Sequence, residues 1–539
     1  MTEWTFADVW EAAADAVPGG TAQVHGDRRD IWSTFDRRAD GIAATLLDAG
    51  LGRQDSVALA LYNGTEYLES AFGAFKAGLV PVNTNYRYGP DELTYLWDDA
   101  DASAVVFHGA LTGTVAQVRD RLPRVRLWLH ADDDTTPCPD WAVPYGQAAA
   151  SATGRVRAPW GRSGDDLLLI YTGGTTGRPK GVMWRQHDMY RVSDVARDPD
   201  TADLEHVRSR ITASQNRPVG LPGSPLMHGT GFVFGGTILS RGGTVVTATS
   251  RRLDVPELLD LITGERVSAL CIVGDAFCRP ILDTLREHPG RWDLTSLTAV
   301  SSSGMMWSPA NKDALLEYAP DALLVDMLSS SEASGMGRSV VSARRRASAS
   351  RFRLGENSFV IDENDVPVVP GSGQVGRVAV RGILPLGYHK DPAKTAATFP
   401  VIDGVRCSVP GDFATVEADG SVTLLGRGST SINTGGEKVF PEEVEEALKS
   451  HPDVVDALVV GVPDERFGSA VAALVQTVSA VDTAALAEHV RGRLASYKAP
   501  RHVLVVDDVG RGPNGKADYV AARTRIEAWL AAPATIPER

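Results

Sequence analysis

Tyr171-Thr172-Gly173-Gly174-Thr175-Thr176-Gly177-Arg178-Pro179-Lys180-Gly181 is the stretch on which the reading of this chain turns. It follows Leu167-Leu168-Leu169-Ile170, an apolar run that reads as a buried strand. Glycines let backbone N–H groups approach an anion closely, and threonine hydroxyls add donors. Lysine supplies a compact charge suited to phosphate. A loop of this make-up, emerging from a strand, is built to hold polyphosphate. It is not a Walker A loop, because Lys180 is preceded by Pro179 and followed by Gly181 instead of Ser or Thr.

The rest of the chain sets bounds on what surrounds that loop. A length of 539 residues exceeds a single core, so two or more domains are expected. With 43% hydrophobic and 23% charged residues, the composition is that of a soluble globular protein. A net charge of −14 argues against nucleic acid as a partner, which would need a basic face. Cys138, Cys271, Cys278 and Cys407 show no metal-ligand spacing, which fits a reducing compartment. The N-terminus lacks the basic and apolar regions of a signal peptide, and no run approaches the ~20 apolar residues of a membrane span. A cytoplasmic protein is expected.

Strand-like and helix-like segments alternate, which predicts an α/β fold. A helix over Asp36–Gly50 leads to a strand over Ser56–Leu61, a helix over Tyr67–Lys76 and a strand over Leu79–Val82, a βαβ unit with parallel strands. The cadence returns at Val245-Val246, Leu258–Ile262 and Ser268–Val273, whereas Asp194–Arg217 reads as a solvated helix-and-loop excursion over the surface. Gly371-Ser372-Gly373 and Asp419-Gly420 mark turns in a β-rich stretch. Beyond it come a helix over Pro441–Ser450, a segment Val454–Val462, a helix around Ala484–Leu494 and a strand His502–Val506. The expected division is therefore residues 1–426, a connection at 427–430, and a small α+β domain over 431–539.

Several further motifs follow the opening loop in a fixed order: Ser301-Ser302-Ser303-Gly304-Met305, Leu328-Ser329-Ser330-Ser331-Glu332, Pro410-Gly411-Asp412, Gly426-Arg427, Gly435-Gly436-Glu437-Lys438-Val439, and Pro513-Asn514-Gly515-Lys516. Together with the loop they resemble the adenylate-forming superfamily of acyl-CoA ligases, nonribosomal adenylation domains and luciferases. Within it, Trp184-Arg185 and the run from Gly426 to Val439 look most like actinobacterial CoA ligases for fatty acids and steroid side chains. The fold this implies is a large N-terminal domain of parallel and mixed sheets flanked by helices, with a β-rich subdomain, and a mobile C-terminal α+β domain.

The resemblance implies attack of a carboxylate on the α-phosphate of ATP, giving an acyl-adenylate and pyrophosphate, then transfer of the acyl group to coenzyme A. Charge gathers on phosphate oxygens, so positioned cations and donors carry such catalysis. In this picture Thr172, Gly173, Gly174, Thr175, Thr176, Gly177 and Lys180 hold the outer phosphates, and Glu332 and Thr172 hold Mg2+. Ser302, Ser303, Gly304 and Ser331 meet the adenine, while Asp412 and Arg427 meet the ribose. Lys516 bridges the carboxylate and the α-phosphate. Gly435, Gly436 and Lys438 meet coenzyme A after the small domain turns about the 427–430 hinge, where Ser429 and Thr430 stand in place of the family's Asp or Lys. His228 resembles the gate between the ATP and acyl sites, and Phe232, Phe234, Val273, Gly274, Met305, Trp307 and Ser329 are candidate walls of the acyl pocket. A homodimer is the default expectation for such a soluble enzyme.

Two positions depart from the family pattern. Leu328 stands where an aromatic residue often stacks on adenine, and Ser329 where a glycine leaves room beside the acyl group. A Cβ and a hydroxyl there predict a narrower, more polar pocket, which makes a compact aromatic acid an alternative to a lipid or steroid acid. Two other readings keep adenylation and change the acceptor. One is a diazotase that activates nitrite and passes it to an aryl amine; the other is a stand-alone adenylation enzyme loading a carrier protein.

Overall fold

The computed structural model describes residues 3–172, 179–193, 203–305, 307–344, 351–427, 430–434, 437–464, 468–512 and 515–531. They form an α/β protein in two compact units, Met1–Ala349 with Arg381–Ser408, and Ser350–Val380 with Val409–Arg539.

The first unit holds two sheets. In one, the strands Thr21–His25, Thr244–Thr247, Val219–Pro222, Ala269–Ile272, Ala299–Ser303 and Leu323–Ser330 lie side by side and parallel. Arg28–Ile31 and Ala333–Val341 close its two sides antiparallel. In the other, Leu167–Thr172, Val80–Asn83, Ser56–Ala60, Ala102–His108 and Leu127–Ala131 are parallel. There Lys180–Arg185 and then Gly387–Tyr388 extend the sheet antiparallel. Helices cover both faces of such parallel strands, so the strands read as near-continuous apolar runs. Leu168, Leu169 and Ile170 are all buried.

Local sequence sets the helix ends. Thr5 and Asp8 form a reciprocal cap on Phe6–Ala16, and Asp254 accepts from the Glu257 N–H ahead of Val255–Gly264. The expected helix at 36–50 begins earlier, at Trp32, because Trp32 and Phe35 pack in the core beside Trp10 and Phe72. The polar stretch 194–217 contains a helix, as its helix-and-loop reading expects, but one that is not wholly solvated. Its first nine residues lie outside the described residues, but Leu204–Ala213 is a helix whose Val207 and Ile211, one turn apart, are buried.

A buried ionic cluster joins three helices of this unit. Lys76 is fully buried and its ammonium lies 2.9 Å from Glu11, 2.7 Å from Asp36 and 2.9 Å from Asp40. Burial alone pushes the Glu11 carboxyl upward; Arg162 and Lys76 outweigh it and hold that group down at about 2.

The second unit carries an antiparallel sheet of Arg351–Leu354, Val422–Arg427, Asp412–Val416, Val375–Arg381 and Ser358–Ile361. It also carries a three-stranded sheet in which Val454–Asp464 and His502–Val506 flank Gly468–Thr477, with helices Pro441–Lys449, Thr483–Arg491 and Tyr519–Ala531. Compactness thus groups 350–380 and 409–426 with the C-terminal sheet, whereas the sequence reading divides the chain at 426. The physical reason is local. Gly426, at φ +123°, lies so close to Glu442 on the helix Pro441–Lys449 that a Cβ would run into its carboxylate. A hinge is a point of rotation, and packing in one conformation does not mark it.

Inside this unit Glu445 is buried and accepts from the Val459 N–H at 3.0 Å. Burial pushes its carboxyl up to about 7 against the opposing pull of Arg511. The folded state therefore holds this proton more tightly than the unfolded chain, so stability falls as pH rises from the ordinary glutamate range through about 7. The loss is on the order of 3 kcal/mol. Glu445→Gln should flatten this slope, as read from urea unfolding of the full chain between about pH 5 and pH 8.

Candidate active site

In the first unit the carboxyl ends of the parallel strands bring the candidate residues to one edge, where open α/β sheets bind ligands. Val219–Pro222 leads to His228, Ala269–Ile272 to Val273 and Gly274, and Ala299–Ser303 to Gly304 and Met305. Ser302 is fully buried and its hydroxyl accepts from the Gly274 N–H at 2.9 Å, fixing two of these turns together. Gly304 has φ +93°, a conformation that favours glycine. Ser303 is buried, and Met305 packs half-buried against the second core.

The loop expected to hold phosphate is anchored through the described residues at its two ends. Thr172 stands opposite Lys180 and Tyr171 opposite Gly181 in the antiparallel pair. The Tyr171 hydroxyl donates to Asp99 at 2.6 Å, and the Tyr95 hydroxyl to the Pro179 carbonyl at 3.3 Å, so one helix, Pro90–Asp99, anchors both sides. Gly181 must lack a side chain, since a Cβ there would lie 2.6 Å from the Tyr171 ring. Gly173, Gly174, Thr175, Thr176 and Gly177 lie outside the described residues.

Asn83 links this root to the His228 segment. Its side-chain amide accepts from the Tyr171 N–H at 2.6 Å and donates to the Tyr171 carbonyl at 3.0 Å and to the Met227 carbonyl at 2.7 Å. His228 then precedes the helix Gly229–Leu239, half-buried, with its N–H donating to the Pro225 carbonyl at 3.0 Å. On that helix Phe232 faces Tyr67 at 6.3 Å between ring centres, and Phe234 lies beside Gly220.

Leu323–Ser330 and Ala333–Val341 are joined by a two-residue turn, Ser331-Glu332, with Ser330 opposite Ala333. Glu332 therefore sits at the tip of a hairpin. The Trp184 indole donates to the Ser331 carbonyl at 2.8 Å, and the Ser408 hydroxyl to the Glu332 carbonyl at 2.9 Å. The Glu332 carboxylate accepts from the Tyr388 hydroxyl at 2.8 Å. Lys180 pairs with Asp391 at 2.8 Å and lies over the Tyr388 ring, 5.8 Å from its centre. The Lys180 ammonium and the Lys394 N–H hold the Asp391 carboxyl below its ordinary value.

Mg2+ keeps most of its water and takes one or two carboxylates together with substrate phosphate oxygens. A single half-buried carboxylate, reached through Tyr388 from the strand that carries Lys180, fits such an ion.

Two of the expected pocket walls have partners of their own in the structure. Trp307 is fully buried in the second core with the Lys312 ammonium over its ring. Ser329 is half-buried and its hydroxyl accepts from the Gly335 N–H at 3.3 Å, so the polar atom is engaged within its own hairpin.

In the second unit Asp412 is buried and opposite Arg427 in the strand register. Lys516 is exposed and ends a turn closed by hydrogen bonds from Gly512 N–H to its carbonyl, 2.8 Å, and from Gly515 N–H to Gly512, 2.7 Å. Arg511 roots that turn through two hydrogen bonds to Asp456, 2.6 and 2.9 Å, and one to the Ala457 carbonyl, 3.1 Å. Gly435, Gly436 and Ser429, and the side chains of Arg427 and Lys438, lie outside the described residues.

With this geometry in place, comparison with known proteins decides the family. Residues 10–388 match the AMP-binding enzyme family, and 443–516 match the AMP-binding enzyme C-terminal domain. The chain belongs to the AMP-binding enzyme family. It is 41% identical over 533 residues to a medium/long-chain-fatty-acid–CoA/3-oxocholest-4-en-26-oate–CoA ligase of Mycobacterium tuberculosis, covering 97% of this chain and 96% of that one. It is 38% identical over 528 residues to a 3-oxocholest-4-en-26-oate–CoA ligase of Rhodococcus rhodochrous, covering 95% and 94%. The actinobacterial subgroup expected from the sequence is thus the one its relatives occupy. Among solved structures, the anthranilate–CoA ligase AuaEII in complex with anthranoyl-AMP shares the fold, with a TM-score of 0.83 at 19% identity over 99% of each chain. No helix among the described residues is long and apolar enough to cross a membrane.

Sequence reading missed the residues that hold the motif residues in place: Asn83, Tyr95, Asp99, Tyr388, Asp391, Ser408 and Arg511. Only the segment Gly387-Tyr388-His389-Lys390-Asp391-Pro392 carried a signal, an acidic cap before a helix-starting proline. Asn83→Ala removes three hydrogen bonds at once and should loosen the phosphate strand from the His228 segment. We expect kcat/KM for adenylate formation to fall between about 10- and 100-fold, measured by pyrophosphate release.

Proposed function

We propose that this chain is an AMP-forming acid–CoA ligase that uses ATP and Mg2+ and acts on an apolar carboxylic acid of the fatty-acid or steroid side-chain kind. The observation that supports it most is the arrangement of Lys180 and Glu332 around Tyr388, which gathers a cation suited to phosphate and a carboxylate suited to a metal near the strand end at Thr172. In the first step the carboxylate oxygen bonds to the α-phosphorus of ATP and the bond to pyrophosphate breaks. In the second, the CoA sulfur bonds to the acyl carbon and AMP leaves.

Mg2+, held through Glu332, would supply positive charge to the phosphate oxygens. Lys180 would neutralise the outer phosphates after exchanging Asp391 for them. Asp412, with two acceptor oxygens, would take the ribose hydroxyls. Lys516, on a turn rooted by Arg511, would carry its ammonium to the carboxylate and α-phosphate as their charges meet. The hinge at 427–430 and a coenzyme A role for 435–438 belong to the same proposal.

The kind of acid follows from two considerations. The relatives named above are ligases for fatty and steroid acids. In addition, the Ser329 hydroxyl accepts from the Gly335 N–H, so part of the polarity that favoured a compact acid or nitrite is engaged inside the hairpin. That weakens the observation behind the diazotase alternative.

The deciding assay scores AMP release with ATP and Mg2+ for a panel of fatty, steroid side-chain and aromatic acids, with and without CoA, and for nitrite with an aminobenzoate. CoA-dependent AMP release with fatty or steroid acids is the expected result; release driven by nitrite alone would overturn the reading. Lys516→Ala should slow adenylate formation by at least about 100-fold. Thioester formation from a supplied acyl-adenylate should be affected far less, and equal loss of both half-reactions would remove Lys516 from the first step.

A further inference from the structure

We propose that Tyr388 is a positioning residue for the metal carboxylate, orienting Glu332 so that one carboxylate oxygen is presented to Mg2+ when ATP binds. This rests on the reading of Glu332 as the Mg2+ residue given above.

The geometry is specific. The Tyr388 hydroxyl donates to Glu332 Oε1 at 2.8 Å, across 56 residues of sequence. A carboxylate has two oxygens, and a donor fixed on one of them sets the direction of the other. Partners of this kind orient metal ligands and govern their affinity.

The donor itself is held rigidly. Tyr388 is 6% exposed, its backbone N–H donates to the Thr395 hydroxyl at 2.9 Å, and its ring packs against Phe399 with centres 6.1 Å apart. Its strand pairs with Val182, two residues beyond Lys180. The backbone of the Glu332 turn is held independently, by Trp184 at Ser331 and by Ser408 at Glu332. Tyr388 thus controls the side chain while other residues control the backbone. Loss of its hydroxyl should disorder the carboxylate and leave the turn in place.

The same segment contains a built-in control. Asp391, three residues on, holds Lys180 at 2.8 Å and also caps the helix Pro392–Thr398 by accepting from the Lys394 N–H at 2.9 Å. Asparagine retains the cap. Asp391→Asn therefore perturbs the segment through Lys180 without touching the Tyr388–Glu332 hydrogen bond.

The test uses the full-length enzyme without acid, so that no turnover occurs. ATP binding is measured by isothermal titration calorimetry over a series of Mg2+ concentrations and again in EDTA, for wild type, Tyr388→Phe, Asp391→Asn and Glu332→Gln. We expect Tyr388→Phe to raise the Mg2+ concentration needed for half-maximal ATP affinity by about 10- to 100-fold. Its affinity in EDTA and its melting temperature should stay close to wild type. Asp391→Asn should change the affinity in EDTA and leave the Mg2+ requirement alone.

An unchanged Mg2+ requirement in Tyr388→Phe, or an equal loss of affinity with and without Mg2+, overturns the proposal. If Glu332→Gln also keeps the wild-type Mg2+ requirement, the assignment of Glu332 fails and takes the proposal with it. A raised requirement in Glu332→Gln beside an unchanged one in Tyr388→Phe rejects the positioning role alone.

Discussion

The hydrogen bonds of one amide, Asn83, are the constraint on which the active edge of the first unit depends. The strands Val80–Asn83 and Leu167–Thr172 pair at Val82 and Leu169. Beyond that point the backbone of Tyr171 is buried and still needs a donor and an acceptor, because an unpaired buried peptide group is costly. The Asn83 side chain supplies both and spends its remaining N–H on the Met227 carbonyl. The strand that launches the phosphate loop and the segment that carries His228 are therefore registered to each other by a single planar group. Tyr171 adds a second lock through Asp99, and its ring makes Gly181 obligatory.

Much of the fold was legible because it rests on local signals. The apolar run at 167–170, the βαβ cadence from Ser56 to Val82 and the proline that opens the helix Pro441–Lys449 are written in consecutive residues. His502–Val506 has the same bounds in the sequence reading and in the structure. The division into units was not legible, because it depends on which distant strands share a sheet. Residues 350–380 read as β-rich in either place, and nothing within them says that Asp412–Val416 and Val422–Arg427 are their partners. Trp307 shows the same limit at one residue. Its apolar side chain suggested a pocket wall, while in the structure it is fully buried beside the Lys312 ammonium, which pairs with Asp326 at 3.0 Å.

The site divides along similar lines. Residues that would touch ATP lie in short motifs, since a phosphate or a ribose is small and one loop can surround it. Residues that aim those groups come from far along the chain: Asp99 lies 72 residues from Tyr171, and Asp391 lies 211 from Lys180. Their types are ordinary for turns, caps and strand ends, so their chemistry becomes visible only when the fold sets them beside a motif. Arg511 is the clearest case. In sequence it is one arginine before a glycine; in the structure it ties the base of the Lys516 turn to Asp456 and shares its surroundings with the buried Glu445.

Ser329 shows why side-chain type alone misjudges a pocket. A hydroxyl next to an acyl group reads as polarity offered to the ligand. A hydroxyl has one proton and two lone pairs, however, and in a tight hairpin the nearest unsatisfied groups are those of the backbone. Ser329 accepts from Gly335, and Ser330 from Ala333, so both serines stabilise the hairpin that lifts Glu332 to its tip. What Ser329 would still offer an acyl pocket is the bulk of its Cβ and the one O–H that accepting a hydrogen bond leaves to donate. Bulk narrows a pocket without making it prefer a polar acid. Selectivity at this position would therefore be steric first, against branched or substituted carbons next to the carboxylate, with a single O–H donor left for a polar group there.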